Sequence, residues 1–177
     1  MKKFYIILVL FVWMVNLSAF DELEYLRTTY YEAVEKENKV EELENYLLSK
    51  YDNKNIPPII TAYLGGVNAL KSKHAFWITT KYSYFLDSME LFADAINKDS
   101  LNLEIRFMRF SVLHYVPGIL GYSKEKKDDI KVIIEKLKEQ NFSKVPQKIQ
   151  IGMLEFLINS ERLTTAQLKT VKDLLNG

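Results

Sequence analysis

Two arginines three residues apart are the most unusual charges in this 177-residue chain. Arg106 and Arg109 lie in a segment otherwise rich in large apolar residues, and their spacing places both side chains on the same side of a helix. Paired guanidinium groups can bind a carboxylate or a phosphate through parallel hydrogen bonds. Two interpretations stay open: the pair faces a groove and binds such a group, or it pairs with carboxylates of the preceding helix, such as Glu90 or Asp94.

Aromatic residues concentrate in two segments that the sequence predicts to connect helices. The first runs from His74 to Tyr84 and overlaps a predicted insertion at roughly residues 71–81, and the second runs from Tyr115 to Tyr122. Such side chains can anchor a partner, because Trp and Tyr give a large contact area at small entropic cost. Alternatively, they fold back and cover the end of the helix stack. If both segments lie at one edge, the best candidate binding site consists of Trp77, Tyr82, Arg106, Arg109, His114 and Tyr122.

Signatures of catalysis and metal binding are missing from the sequence. The chain has no cysteine and no Gly-x-Ser-x-Gly, phosphate-loop or His-Glu-x-x-His motif. Its two histidines, His74 and His114, lie far apart in the sequence, so we expect no histidine metal site. We therefore expect a non-enzymatic protein with no cofactor. An enzyme would require two acidic side chains that converge in a cleft with perturbed pKa values.

Residues 1–19 have the order of residue types that is typical of an export signal. Two lysines follow Met1, an apolar run extends from Phe4 to Val15, and small residues precede a predicted cleavage after Ala19. Retention as an anchor is the alternative, although a membrane span needs about 20 apolar residues. We expect an exported chain, periplasmic or secreted, without disulfides, a lipid tether or a stable membrane span.

The remainder, residues 20–177, has the usual length of one domain. The 24 basic side chains include Lys2 and Lys3 of the predicted signal, so 22 remain beside 23 acidic ones. This balance disfavours nucleic acid and anionic lipid as partners.

Apolar residues recur at three- and four-residue steps almost everywhere after the signal, and no segment alternates as a half-buried strand does. This pattern predicts an all-α fold of about eight helices in antiparallel hairpins. The fifth predicted helix, at about residues 101–115, is apolar nearly all round and should lie centrally. Pro58 can occupy the first turn of the third helix.

The segment from Ser88 to Asn102 resembles the second helix and exit turn of a tetratricopeptide repeat. Its small, aromatic, small and turn residues stand at the offsets of that motif: Ser88, Phe92, Ala95 and Ser100. Leu64-Gly65 resembles the leucine-glycine pair of a first repeat helix, with about eleven residues inserted between the two helices. The segment from Tyr63 to Ile130 is also similar to uncharacterised exported bacterial proteins with a repeat-like helical fold.

This resemblance implies a right-handed array of helical hairpins over residues 20–177. Repeat arrays of this kind usually bind peptides or proteins without doing chemistry, so the resemblance implies a scaffold for a protein or peptide partner. The alternative is a carrier of a small ligand, a lipid or another apolar acid. In a carrier, Arg106 and Arg109 would bind the acidic head group while aromatic residues line a cavity.

Overall fold

The computed structural model describes residues 22–51 and 55–177. These ranges contain eight α-helices and no strand: α1 (residues 22–33), α2 (Glu37–Lys50), α3 (Pro58–His74), α4 (Ile78–Lys98), α5 (Leu103–His114), α6 (Ser123–Lys138), α7 (Gln147–Asn159) and α8 (Thr165–Asn176). The predicted all-α class and helix number are confirmed. The right-handed repeat array stays a prediction, and the predicted signal at residues 1–19 lies outside the described residues.

The described residues belong to two compact units, which we call the small unit (22–51) and the large unit (55–177). One domain over residues 20–177 therefore stays a prediction. In the small unit Glu22 joins α1 to the end of α2. Its carboxylate accepts a hydrogen bond from Tyr51 Oη at 2.8 Å and forms an ion pair with Lys50 Nζ at 2.8 Å. Burial alone would raise the pKa of Glu22, but the hydrogen bonds from Lys50, Tyr51 and Tyr46, together with the positive charge of Lys50, outweigh it and lower the pKa.

The large unit is built around α5, as its apolar sequence predicts. This helix packs against α3, α4 and α6, and its phenylalanines contact Phe156 of α7. On one side Tyr63 Oη donates a buried hydrogen bond of 2.7 Å to Glu104 Oε1, which joins α3 to α5. On the other side α5 shares a core with the last three helices, which includes Phe110, Ile133, Leu137, Leu157 and Val171.

The prediction that residues 71–81 form a loop inserted between the two helices is wrong. Helix α3 continues to His74 and α4 begins at Ile78, so only residues 75–77 connect them. The segment contains no glycine or proline to stop either helix. Lys81 also stabilises the turn, because its Nζ donates to the carbonyl oxygens of Ser72 at 3.3 Å and Lys73 at 2.8 Å. The extra residues lengthen both helices of the hairpin.

Helices α3 and α4 approach each other closely at Gly65. A Cβ atom at this position would lie 3.2 Å from the backbone oxygen of Ser88 and 3.3 Å from Cβ of Leu91. A backbone oxygen cannot rotate away as the end of a flexible side chain can. The missing side chain of Gly65 therefore sets the distance between the two helices.

We expect Gly65→Ala to lower the free energy of unfolding by about 1 kcal/mol. Overpacking in a core costs about 1–3 kcal/mol, which exceeds the roughly 1 kcal/mol that alanine gains over glycine in a helix. Gly152→Ala is the matched control, because a Cβ there meets nothing within 4 Å and should stabilise α7 by about 0.5–1 kcal/mol. Urea denaturation of both variants measures the difference. Stabilisation by Gly65→Ala would contradict the close approach.

Candidate functional site

The connection between α3 and α4 and the connection between α5 and α6 lie at the same edge of the large unit. The ring of Phe85, two turns into α4, meets the ring of Tyr122 edge to face at a centroid distance of 5.4 Å. Burial raises the pKa of Tyr122, and so do the nearby Tyr82 and Glu125. The structure thus brings Tyr82 and Tyr122 together, although they are far apart in the sequence.

Large apolar side chains project into solvent from both connections. We call this set the loop edge: Phe76, Trp77, Ile78, Tyr82, Tyr115 and Ile119. Trp77 is 69% exposed, Phe76 is 84% exposed and Ile119 is 93% exposed, so these side chains do not fold back over the helix stack. Gly121 ends the second connection with a φ of 86°, a conformation that favours glycine. A concentration of exposed apolar residues at one place is typical of an interaction surface.

His114 ends α5 beside the loop edge. Its ring lies between Tyr115, at a centroid distance of 4.8 Å, and Phe156 of α7, at 5.5 Å. Its Nδ1 atom is buried and has no hydrogen-bond partner. Burial lowers the pKa of His114, and the positive charges of Arg162 and Lys126 lower it further.

Lys126, in the first two turns of α6, is buried although it carries a charge. The residue is 7% exposed, and its Nζ donates only a long hydrogen bond of 3.4 Å to the carbonyl oxygen of Val116. Burial lowers the pKa of Lys126, and the charge of Arg162 adds to this effect. Arg162 lies just beyond the end of α7. We call His114, Lys126 and Arg162 the basic cluster.

Arg106 and Arg109 do not belong to the loop edge but join α5 to α6. Asp129, which is fully buried, accepts hydrogen bonds from Arg106 Nη1 at 2.9 Å, Arg109 Nε at 2.8 Å and Arg109 Nη2 at 2.7 Å. Ion pairing was one of the two interpretations of these arginines. The predicted partners, Glu90 or Asp94 on the preceding helix, are wrong, because the carboxylate belongs to Asp129 on the following helix. The side chains of the two arginines are only 12% and 11% exposed.

Sequence reasoning missed Asp129, Lys126 and Arg162. A signal for the first two exists, because they fall on the face of α6 that Ile130, Ile133 and Leu137 define at three- and four-residue steps. A charge on an apolar face predicts a buried partner or a ligand. Arg162 gives no comparable signal, since it lies in an ordinary turn.

No protein-family model matches the chain, and no curated protein or solved structure matches it either. Among residues 22–51 and 55–177, no three histidine or acidic side chains lie close enough together to hold a metal ion. Within the same ranges, no helix combines the length and the apolar character that crossing a membrane requires.

Proposed function

We propose that this protein is an exported, non-enzymatic scaffold that binds a protein or peptide partner through the loop edge. The observation that carries the proposal is the convergence of exposed aromatic and aliphatic side chains from two separate connections. Aromatic anchors of this type dominate the binding energy of many protein interfaces. A helical array supports the proposal because it holds its connections in fixed positions.

The carrier of a small apolar acid has less support. It needs Arg106 and Arg109 to bind an acidic head group, but both arginines already donate to the carboxylate of Asp129. Release from that ion pair would leave a buried carboxylate without its partners, which costs several kcal/mol. We therefore propose the scaffold in preference to the carrier.

Site-specific crosslinking tests this proposal. A photoreactive amino acid at Ile119 should form a crosslink to one partner in the native envelope, whereas the same group at Leu101 should not. Leu101 is also exposed, at 56%, but it lies at the connection between α4 and α5. Equal crosslinking at both positions would argue against the loop edge.

With the partner identified, Trp77→Ala should weaken its binding by about tenfold or more, as expected for an aromatic hot spot. Leu101→Ala is the control and should leave the affinity unchanged within about twofold. Isothermal titration calorimetry with the purified proteins measures both affinities. Unchanged binding by the Trp77 variant would remove this residue from the site.

A further inference from the structure

We propose that the basic cluster of His114, Lys126 and Arg162 is a binding site for an oxyanion, that is, a carboxylate or a phosphate-type group. The three side chains come from three segments: the end of α5, the beginning of α6 and the turn after α7. The site does not depend on the proposed scaffold function, because a free anion and an anionic group of a partner present the same chemistry.

Several cations of the large unit pair with a carboxylate, whereas, in the part of the chain that the structure describes, no member of the cluster does. Arg106 and Arg109 share Asp129, while Lys98, Lys124 and Lys136 each pair with an acidic residue on the same helix or just beyond its end. Within the described residues, no ion pair involves a member of the basic cluster. The Val116 carbonyl oxygen that Lys126 Nζ contacts at 3.4 Å lies two residues after His114, so these two side chains are close together. Burial is the first cause that lowers the pKa values of His114 and Lys126, and the positive charge of Arg162 lowers both further.

Lys126 provides the strongest argument for a ligand. An ammonium group prefers several short hydrogen bonds, and burial without them is unfavourable. Lys126 has one acceptor, the Val116 carbonyl oxygen, at the long distance of 3.4 Å. An oxyanion beside it would supply both charge and additional acceptors. The Nδ1 atom of His114 is likewise buried without a partner and can donate to the same anion when protonated.

The surroundings of the cluster also favour a negative charge. Lys126 is near the N-terminal end of α6, where the helix dipole is positive, and the N-cap residue Tyr122 makes no side-chain capping bond. Two carboxylates are near in the sequence, Glu125 and Glu161, and neither forms an ion pair with the cluster.

Histidine NMR tests the site directly, with sodium sulfate and sodium acetate as probes and sodium chloride at equal ionic strength as reference. A bound anion stabilises the imidazolium form, so it should raise the pKa of His114 by about half a unit or more. The shift should saturate as the anion concentration rises. Sulfate keeps its charge between pH 4 and 8 or so, which separates the titration of His114 from that of the probe. His114→Gln assigns the resonance.

Three variants show which charges bind. Arg162→Gln and Lys126→Met should each weaken sulfate binding by about tenfold, the typical effect of losing a charge-assisted hydrogen bond. Lys127→Met removes the same charge from the adjacent exposed position and should change the affinity by less than about twofold. Equal effects of all three variants would show general screening and overturn the site, as would a pKa of His114 that no anion changes.

Thermal unfolding gives a second readout. Sulfate should raise the melting temperature of the native chain, because a ligand that binds only the folded state stabilises it. Lys126→Met should raise the melting temperature in chloride, since it removes a desolvated charge, and should lose the additional effect of sulfate. If this variant does not fold, Arg162→Gln replaces it, because Arg162 is exposed, and the Arg162 variant should also lose the additional effect of sulfate on the melting temperature. A negative result with these purified chains leaves the scaffold proposal standing, because no partner protein is present.

If sulfate binds and acetate does not, the natural ligand carries a phosphate-type group. If acetate binds at least as well, the ligand is a carboxylate, such as an acidic side chain or a chain terminus. Either outcome supports the oxyanion site and identifies the chemical class of its ligand. Binding of neither probe would overturn it.

Discussion

Asp129→Ala is expected to lower the free energy of unfolding of the large unit by about 3–5 kcal/mol, the usual cost of removing one partner from a buried ion pair. The carboxylate of Asp129 accepts three hydrogen bonds from Arg106 and Arg109, and it is fully buried. Its loss leaves two guanidinium groups in a largely desolvated place without the carboxylate that accepts their hydrogen bonds. The remaining acceptor of Arg106, the carbonyl oxygen of Ser100 at 2.8 Å, cannot neutralise a charge.

Urea denaturation followed by circular dichroism measures this loss, with two control variants. Asp129→Asn keeps the size of the side chain but removes its charge, so it should destabilise nearly as much as alanine. A triple variant with Arg106→Met, Arg109→Leu and Asp129→Leu should recover most of the stability, because buried ion pairs can often be replaced by apolar residues of similar volume. A loss below about 1 kcal/mol for Asp129→Ala would contradict the buried ion pair.

The same ion pair helps to position the proposed binding surface. It fixes the second turn of α6 against the first two turns of α5, and the connection between these helices carries Tyr115 and Ile119. A variant that loosens the pair should therefore weaken partner binding without touching the partner. For this reason Arg109 is a poor test of direct contact, and Trp77 and Ile119 are better ones.

The sequence pattern predicted the helices well because each one buries a regular apolar stripe. The sequence also predicted the central position of α5, because apolar residues cover nearly all of that helix and it must be buried on several sides. It did not predict the connection at residues 75–77, because helix ends in this region depend on a contact between α3 and Lys81. Periodicity along one helix carries no information about a side chain that another helix contributes.

The candidate site was predictable only in part. Consecutive antiparallel helices place alternate connections at the same edge, so the meeting of Tyr82 and Tyr122 follows from the topology. By the same argument the turn after α7 falls at this edge, which puts Arg162 beside His114. The pairing of Arg106 and Arg109 with Asp129 did not follow, because it depends on the rotation of α6 about its axis.

Phe156→Ala is expected to cost about 3 kcal/mol, the lower end of the range for phenylalanine because the residue is only partly buried. Its ring meets Phe107 at 5.4 Å, His114 at 5.5 Å and Phe110 at 5.9 Å between centroids. One side chain of α7 thus packs against three residues along α5. Truncation removes the edge-to-face contacts together with the apolar surface that they bury.

The variant should also change the titration of His114. Burial is the main cause of its lowered pKa, and loss of the Phe156 ring admits water, so the pKa should rise toward its usual value near 6.5. In the native chain the unfolded state binds the proton more readily, so stability should fall as the pH drops through about 6.5. Phe156→Ala should reduce this pH dependence in addition to the overall stability.

Phe156→Leu separates the two effects, because it keeps an apolar side chain over the imidazole and should cost less than about 1.5 kcal/mol. Urea denaturation at several pH values, with histidine NMR on the same variants, measures both quantities. A His114 pKa that stays lowered in Phe156→Ala would mean that Arg162 and Lys126 dominate the shift. The basic cluster would then be the main determinant of His114 protonation, and an oxyanion should act on it more strongly than packing does.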